Sequence, residues 1–229
     1  MASTRLDAAA LAKFIDHTLL KPEAVDADFD KVCEEAMKYG FYSVCVASSR
    51  VAQIAGKLKG SGVKTCSVVG FPHGNMTSAA TAFETGEAVK AGADEIDMVI
   101  NVGWLRAGRL PDVEADIRSV RAATGPGVLL KVIIETCLLD ETEKIRACEI
   151  SRKAGADFVK TSTGFSTGGA TVDDVALMRR IVGPDVGVKA SGGIKSWKAA
   201  LAMIEAGASR IGAGSSVAIV TDSLAGGGY

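Results

Sequence analysis

One joint occurs three times in the chain and constrains the fold more than any other feature. Val89-Lys-Ala-Gly-Ala-Asp-Glu-Ile-Asp-Met-Val-Ile, Arg152-Lys-Ala-Gly-Ala-Asp-Phe-Val-Lys and Ile204-Glu-Ala-Gly-Ala-Ser-Arg-Ile-Gly each leave an amphipathic helix and enter a short apolar strand. Gly92, Gly155 and Gly207 sit where each helix stops, since the left-handed conformation after a helix costs glycine nothing. Further strand candidates cover residues 42–46, 64–69, 128–134 and 186–190, and the stretch 14–19 after a first helix supplies an eighth. Most are nearly continuous in apolar character, as in parallel strands covered by helices. Alternating strands and helices predict an α/β chain. An open doubly wound sheet is the rival, disfavoured because no Gly-rich dinucleotide loop follows the first strand. The expectation is a single (β/α)8 barrel over residues 1–229, with an extra N-terminal helix and a flexible tail from about residue 220.

Composition narrows the partners. The 229 residues carry 26 basic and 27 acidic side chains for a net charge of −1, and no charge block points to nucleic acid or an anionic membrane. No apolar run approaches the roughly 20 residues of a membrane helix, and the N-terminus lacks a secretory pattern. The five cysteines (Cys33, Cys45, Cys66, Cys137, Cys148) form no CxxC, and only His17 and His73 accompany them. They read as free thiols of a cytoplasmic protein rather than a zinc site, so no metal is expected.

Three predicted strands place a lysine among apolar neighbours: Lys131, Lys160 and Lys189. Lysine is rarely buried without a partner, and inward positions of a barrel converge on one interior. Two ammoniums close together lower at least one pKa, and a neutral amine attacks carbonyls. Lys160 and Lys189 therefore suit a Schiff-base pair, with the order between them open. Asp97, inside the apolar run Glu95-Ile-Asp-Met-Val-Ile-Asn101, fits either a structural salt bridge or a proton relay. Both would occupy the same position.

Gly- and hydroxyl-rich turns follow the last three strands: Thr161–Gly169, Ser191–Lys195 and Gly212–Ser216. Their backbone N–H groups, with helix N-termini behind, favour a small phosphorylated ligand. Lys195 adds a charge at the rim. Cys45 reads as a small wall residue.

The blocks Phe14-Ile-Asp-His-Thr-Leu-Leu-Lys-Pro-Glu23, Val68-Val-Gly-Phe-Pro72, Glu95–Asn101, Leu130-Lys-Val-Ile-Ile-Glu-Thr136, Phe158-Val-Lys-Thr-Ser-Thr-Gly-Phe165, Val188-Lys-Ala-Ser-Gly-Gly-Ile194 and Ala202–Gly212 together resemble the deoxyribose-phosphate aldolase family. The resemblance runs from about residue 11 onward. It implies a lyase of deoxyribonucleotide catabolism and carbohydrate degradation that cleaves 2-deoxy-D-ribose 5-phosphate to acetaldehyde and D-glyceraldehyde 3-phosphate without cofactor. It further implies Lys160 as the imine-forming lysine, Lys189 as the residue that tunes it, and Asp97 as the proton shuttle supported by Asp16. Thr18, Cys45 and Thr163 are implied beside the sugar, and Gly164, Gly192, Gly193, Gly214, Ser215 and Lys195 around the phosphate. Tyr229 matches a tail tyrosine that assists proton transfer; barrels of this kind associate through outer helices, and a homo-oligomer, dimer or tetramer, is left open by the sequence. The sequence departs from the resemblance at Ala47-Ser-Ser49, at Gly214 in place of a serine, and at Phe165 where some members carry lysine.

Overall fold

The structure is a computed structural model and describes residues 6–225; Tyr229 and the rest of the 226–229 tail lie outside the described residues. In chain order the elements begin with α1 (Ala8–Ala12), β1 (Ile15–Thr18), α2 (Asp26–Tyr39), β2 (Ser43–Ala47), α3 (Val51–Leu58) and β3 (Lys64–Val69). They continue with α4 (Ser78–Lys90), β4 (Glu95–Val99), α5 (Val102–Arg106), α6 (Leu110–Thr124), β5 (Leu129–Ile133) and α7 (Glu141–Lys153). The last third holds β6 (Phe158–Lys160), α8 (Val172–Val182), β7 (Gly187–Ser191), α9 (Trp197–Glu205), β8 (Arg210–Ala213) and α10 (Ser216–Ala225). All strand pairings are parallel and the sheet closes, β1 pairing with both β2 and β8. The (β/α)8 barrel and its extra N-terminal helix are therefore present. α10 runs through Ala225, and Val220 on it packs into the core.

The three repeated joints behave as their sequence dictates. Gly92, Gly155 and Gly207 all adopt positive φ after the ends of α4, α7 and α9, and each strand starts within a few residues. Helix starts are fixed by side chains as well: Asp140 and Glu143 form a reciprocal capping box on α7, and Ser196 caps α9.

The strands differ from the expected continuous apolar runs in one respect that matters for function. Ile15, Val44, Val46, Ile96, Met98, Leu130, Val132, Val159, Val188, Ala190 and Ile211 belong to the main core between sheet and helices. The residues between them are Asp16, Ser43, Cys45, Glu95, Asp97, Lys131, Lys160, Lys189 and Arg210, all buried. Side chains alternate across a strand, so the outer face is apolar and the interior of the barrel is charged. Among the described residues no helix is long and apolar enough to cross a membrane.

At the N-terminal end of the barrel, Arg210 lies over the rings of Tyr42 and Phe158, at 3.4 and 5.3 Å from their centroids. Phe158 fits only because β7 begins with glycine: a Cβ on Gly187 would lie 2.2 Å from the Phe158 ring. Gly187→Ala should therefore destabilise the chain by about 1–3 kcal/mol through overpacking. Adding Phe158→Leu should recover part of that loss in a double-mutant cycle read by urea unfolding.

Candidate active site

The inward charges form a closed circuit. Asp97 Oδ1 accepts from Lys131 Nζ at 2.7 Å, and Lys131 also meets Glu95 at 2.6 Å. Glu95 faces Arg210 at 3.2 Å, and Arg210 meets Asp16 Oδ1 at 2.8 Å. Asp16 Oδ2 accepts from Lys189 at 2.5 Å, and Lys189 returns to Asp97 Oδ2 at 2.7 Å. Three carboxylates and three cations thus alternate around a ring that draws on β1, β4, β5, β7 and β8. Ser43 adds a hydroxyl to Asp16 Oδ1 at 2.7 Å.

Lys160 stands outside this balance. Its Nζ meets Asp97 Oδ2 at 2.7 Å and pairs with no second carboxylate within the ring. Lys131 and Lys189 are 0% exposed, whereas Lys160 retains 3% at the end of β6. The ring counts three carboxylates against three cations, so Lys160 is the one cation of the cluster in excess of that balance. The two lysines differ in their contacts: Lys189 meets both Asp16 and Asp97, and Lys160 meets Asp97 alone.

Such a site serves imine chemistry, and the matches to known proteins agree with it. The sequence pattern described as DeoC/LacD family aldolase matches residues 10–224. The chain belongs to that family. It is 60% identical to the deoxyribose-phosphate aldolase of Streptococcus gordonii over 219 residues, covering 96% of this chain and 99% of the relative. The deoxyribose-phosphate aldolase of Clostridium perfringens is 58% identical over 214 residues, covering 93% of this chain and 96% of the relative. Among solved structures, a tetrameric deoxyribose phosphate aldolase from Aeropyrum pernix superposes with a TM-score of 0.89 at 35% identity, covering 96% of this chain and 93% of that one.

Charge states follow from the ring. Burial alone would raise Asp97, but the ammoniums of Lys131, Lys160 and Lys189 outweigh it and hold the carboxyl well below the usual carboxylate range. Burial opposes ionisation of Asp16 too, and Lys189, Lys131 and Arg210 prevail. Burial would drive Lys189 down, yet Asp16 and Asp97 keep it above the ordinary lysine value. Lys131 is raised in the same way, burial being overcome chiefly by Asp97. Lys189 is therefore not the member of the pair that crowding depresses, because Asp16 and Asp97 both touch it directly.

Beside Asp97 lies a small apolar wall of Cys45, Cys66 and Val68, packed by Leu20 and Phe71 and separate from the main core. Cys45 and Cys66 are register partners on β2 and β3, and Thr18 lies opposite Cys45 on β1. The thiol sulfurs and Asp97 come within 4.8 Å of one another, but Asp97 is already engaged by three ammoniums, whose charge opposes a cation there.

The predicted phosphate turns converge at the C-terminal end of the barrel. Ala170 N–H donates to the carbonyls of both Ser191 and Gly192, at 3.0 and 3.1 Å, stitching the β6 turn to the β7 turn. A Cβ on Gly169 would lie 2.3 Å from the Gly192 carbonyl oxygen, so this approach requires glycine. Gly164, Gly192 and Gly193 have positive φ, and Lys195 is exposed on the same β7 turn. Thr18, Gly214 and Ser215 line a cleft of about 260 Å³ beside the mouth, with His17 and Glu35 paired at 2.9 Å in its wall. Tyr229 lies outside the described residues.

Sequence reasoning missed Glu95, Arg210 and Glu135. Glu95 sits two residues before Asp97 and hence on the same face of β4, a signal that was present but unused. Arg210 opens the strand of the third repeated joint, where a single charge beside the helix stop drew no notice.

The sign of the pH dependence is set by the shifts. Asp16 and Asp97 are lowered on folding, so their contribution is complete above the unfolded value of about 3.9 and is lost as pH falls toward the folded values. Lys131 and Lys189 are raised, so theirs is complete below about 10.4 and is lost only as pH rises through the folded values. Urea midpoints should hold through neutral pH and fall below about pH 4. Asp97→Asn, which leaves three buried ammoniums short of a carboxylate, should cost about 3–5 kcal/mol at pH 7. Wild-type stability in that variant would remove the ring as a folding constraint.

Proposed function

We propose that the chain is a class I aldolase that reversibly cleaves 2-deoxy-D-ribose 5-phosphate to acetaldehyde and D-glyceraldehyde 3-phosphate through an imine on Lys160. The observation that carries this reading is the placement of Lys160 outside a neutral ring of buried charges, at the open end of the barrel. The names and high identity of the relatives support the substrate.

On this reading the neutral Lys160 amine attacks the C1 aldehyde, and the carbinolamine loses water to form the iminium. Cleavage of the C2–C3 bond sends its electron pair into the iminium while the C3 hydroxyl gives up its proton. D-glyceraldehyde 3-phosphate departs and an enamine remains, which is protonated at carbon and hydrolysed to acetaldehyde. The imine acts as the electron sink, so the reaction needs no metal or organic cofactor.

Asp97 Oδ2, in contact with both Lys160 and Lys189, is placed to pass protons at the carbinolamine. Lys189 remains charged and keeps the neighbouring amine from holding its proton, and Asp16 anchors Lys189. Thr18, Cys45 and Thr163 face the sugar, while Gly164, Gly192, Gly193, Gly214, Ser215 and Lys195 surround the phosphate. Phe165 brings no cation to it. Tyr229 is assigned the proton transfer at the acetaldehyde carbon on the resemblance alone. A cytoplasmic location fits the five free thiols, and assembly as a homo-oligomer is supported by the tetrameric Aeropyrum pernix relative.

Borohydride reduction in the presence of acetaldehyde, followed by peptide mapping, should leave an ethyl group on Lys160. No adduct would sink the Schiff-base reading, and an adduct on Lys189 would reverse the assignment. Lys189→Leu should slow cleavage by about 10²-fold or more and move the acid limb of the pH–rate profile to higher pH, because the freed carboxylates then favour a protonated Lys160. An unshifted profile with good activity would show that Lys189 does not tune the nucleophile.

A further inference from the structure

Glu135 takes no part in the chemistry just described, yet it is the only non-glycine residue with positive φ among the described residues, at φ 54° and ψ 66°. A glutamate held there is strained. It is also 3% exposed, an unusual place for a carboxylate. What it holds is Thr163. The Thr163 backbone N–H donates to Oε1 and Oε2, both at 3.3 Å, and the Thr163 hydroxyl donates to Oε2. Phe165 N–H in turn donates to Thr163 Oγ1 at 3.1 Å. The two turns are tied by backbone bonds too: Ile134 N–H to the Lys160 carbonyl at 3.0 Å, and Thr136 N–H to the Thr161 carbonyl at 2.9 Å.

This accounting fixes the direction of a proton. An ionised carboxylate only accepts, so Thr163 spends its single hydroxyl proton on Glu135. One lone pair of Oγ1 takes the Phe165 N–H. The remaining lone pair is all that Thr163 can offer, and it can meet only a donor.

We infer that Glu135 is a positioning residue that makes Thr163 a hydrogen-bond acceptor, and thereby selects an aldehyde product or partner carrying a hydroxyl next to its carbonyl. This rests on the proposed function, in which Thr163 faces the sugar. D-glyceraldehyde 3-phosphate has one free hydroxyl, at C2, and 3-oxopropyl phosphate is the same molecule without it. A site built to bond a hydroxyl rejects the analogue that lacks it, and the backbone strain at Glu135 is the cost of keeping that carboxylate beneath the turn.

The test measures condensation of acetaldehyde with each of the two phosphorylated aldehydes, alongside borohydride trapping of acetaldehyde on Lys160. The wild-type chain should prefer D-glyceraldehyde 3-phosphate by about 10-fold or more in kcat/KM. In Glu135→Gln the amide nitrogen donates to Thr163 Oγ1 and frees the hydroxyl proton, so the preference should fall to about threefold or less. Trapping, which involves no hydroxyl, should stay within about twofold of wild type. Glu135→Gly, which suits the backbone at this position, should give the same result and keeps the test decisive if the glutamine variant folds poorly. Thr163→Val should lose the preference and Thr163→Ser should keep it.

A preference retained in both Glu135 variants would overturn the inference. So would loss of trapping and of the preference in equal measure, which marks a purely structural residue. Failure of the wild-type chain to trap acetaldehyde at all would instead overturn the proposed function.

Discussion

The ring of Asp97, Lys131, Glu95, Arg210, Asp16 and Lys189 is the interaction on which the rest of the molecule depends. A barrel of eight strands leaves an interior just wide enough for side chains, and here that interior is filled with charge. Each ion in it would be costly alone, because desolvation of an unpaired buried charge exceeds what one contact returns. Closing the circuit gives every ring member two opposite partners and ties strands on different sides of the barrel together. Apolar packing is left to the outer face, where one continuous cluster joins sheet and helices. The two faces of each strand thus divide the work: the outside holds the fold, and the inside holds ions at fixed positions.

That division explains what could be read from sequence and what could not. The joints around Gly92, Gly155 and Gly207 announce their strands through helix-stop chemistry, which is local, so the barrel was legible. Lys131, Lys160, Lys189 and Asp97 were legible as anomalies, since a charge inside an apolar strand needs an explanation. The order between Lys160 and Lys189 was not, because it depends on how many carboxylates each meets. Asp16 reaches Lys189 only because the sheet closes through β8, a pairing of residues far apart in the chain. Glu135 was hidden for another reason: a positive φ at a non-glycine residue leaves no mark in composition or periodicity.

The turns above the ring are organised on different terms. Ala170 bonded to the Ser191 and Gly192 carbonyls, and Glu135 beneath Thr163, fix backbone and hydroxyl directions without adding net positive charge. Phe165, half exposed, packs edge-on against Phe71 at 5.3 Å rather than placing a cation there. On the proposed reading, anion binding at this mouth would fall to backbone N–H groups and to exposed Lys195, the arrangement expected of glycine-rich turns backed by helix N-termini.

The excess charge on Lys160 also accounts for how a cycle could run without disturbing the fold. The cluster is neutral when Lys160 is a free amine and carries one positive charge when it is an ammonium or an iminium. Both charged forms place that charge at the same nitrogen, beside Asp97 Oδ2, so forming the iminium asks the ring for nothing that the resting ammonium did not already require. Cleavage to the enamine removes the charge and returns the interior to balance. Were Lys189 the nucleophile, the same change would open the circuit between Asp16 and Asp97 at every turnover, which is the physical reason to place the chemistry on the one lysine the ring leaves out.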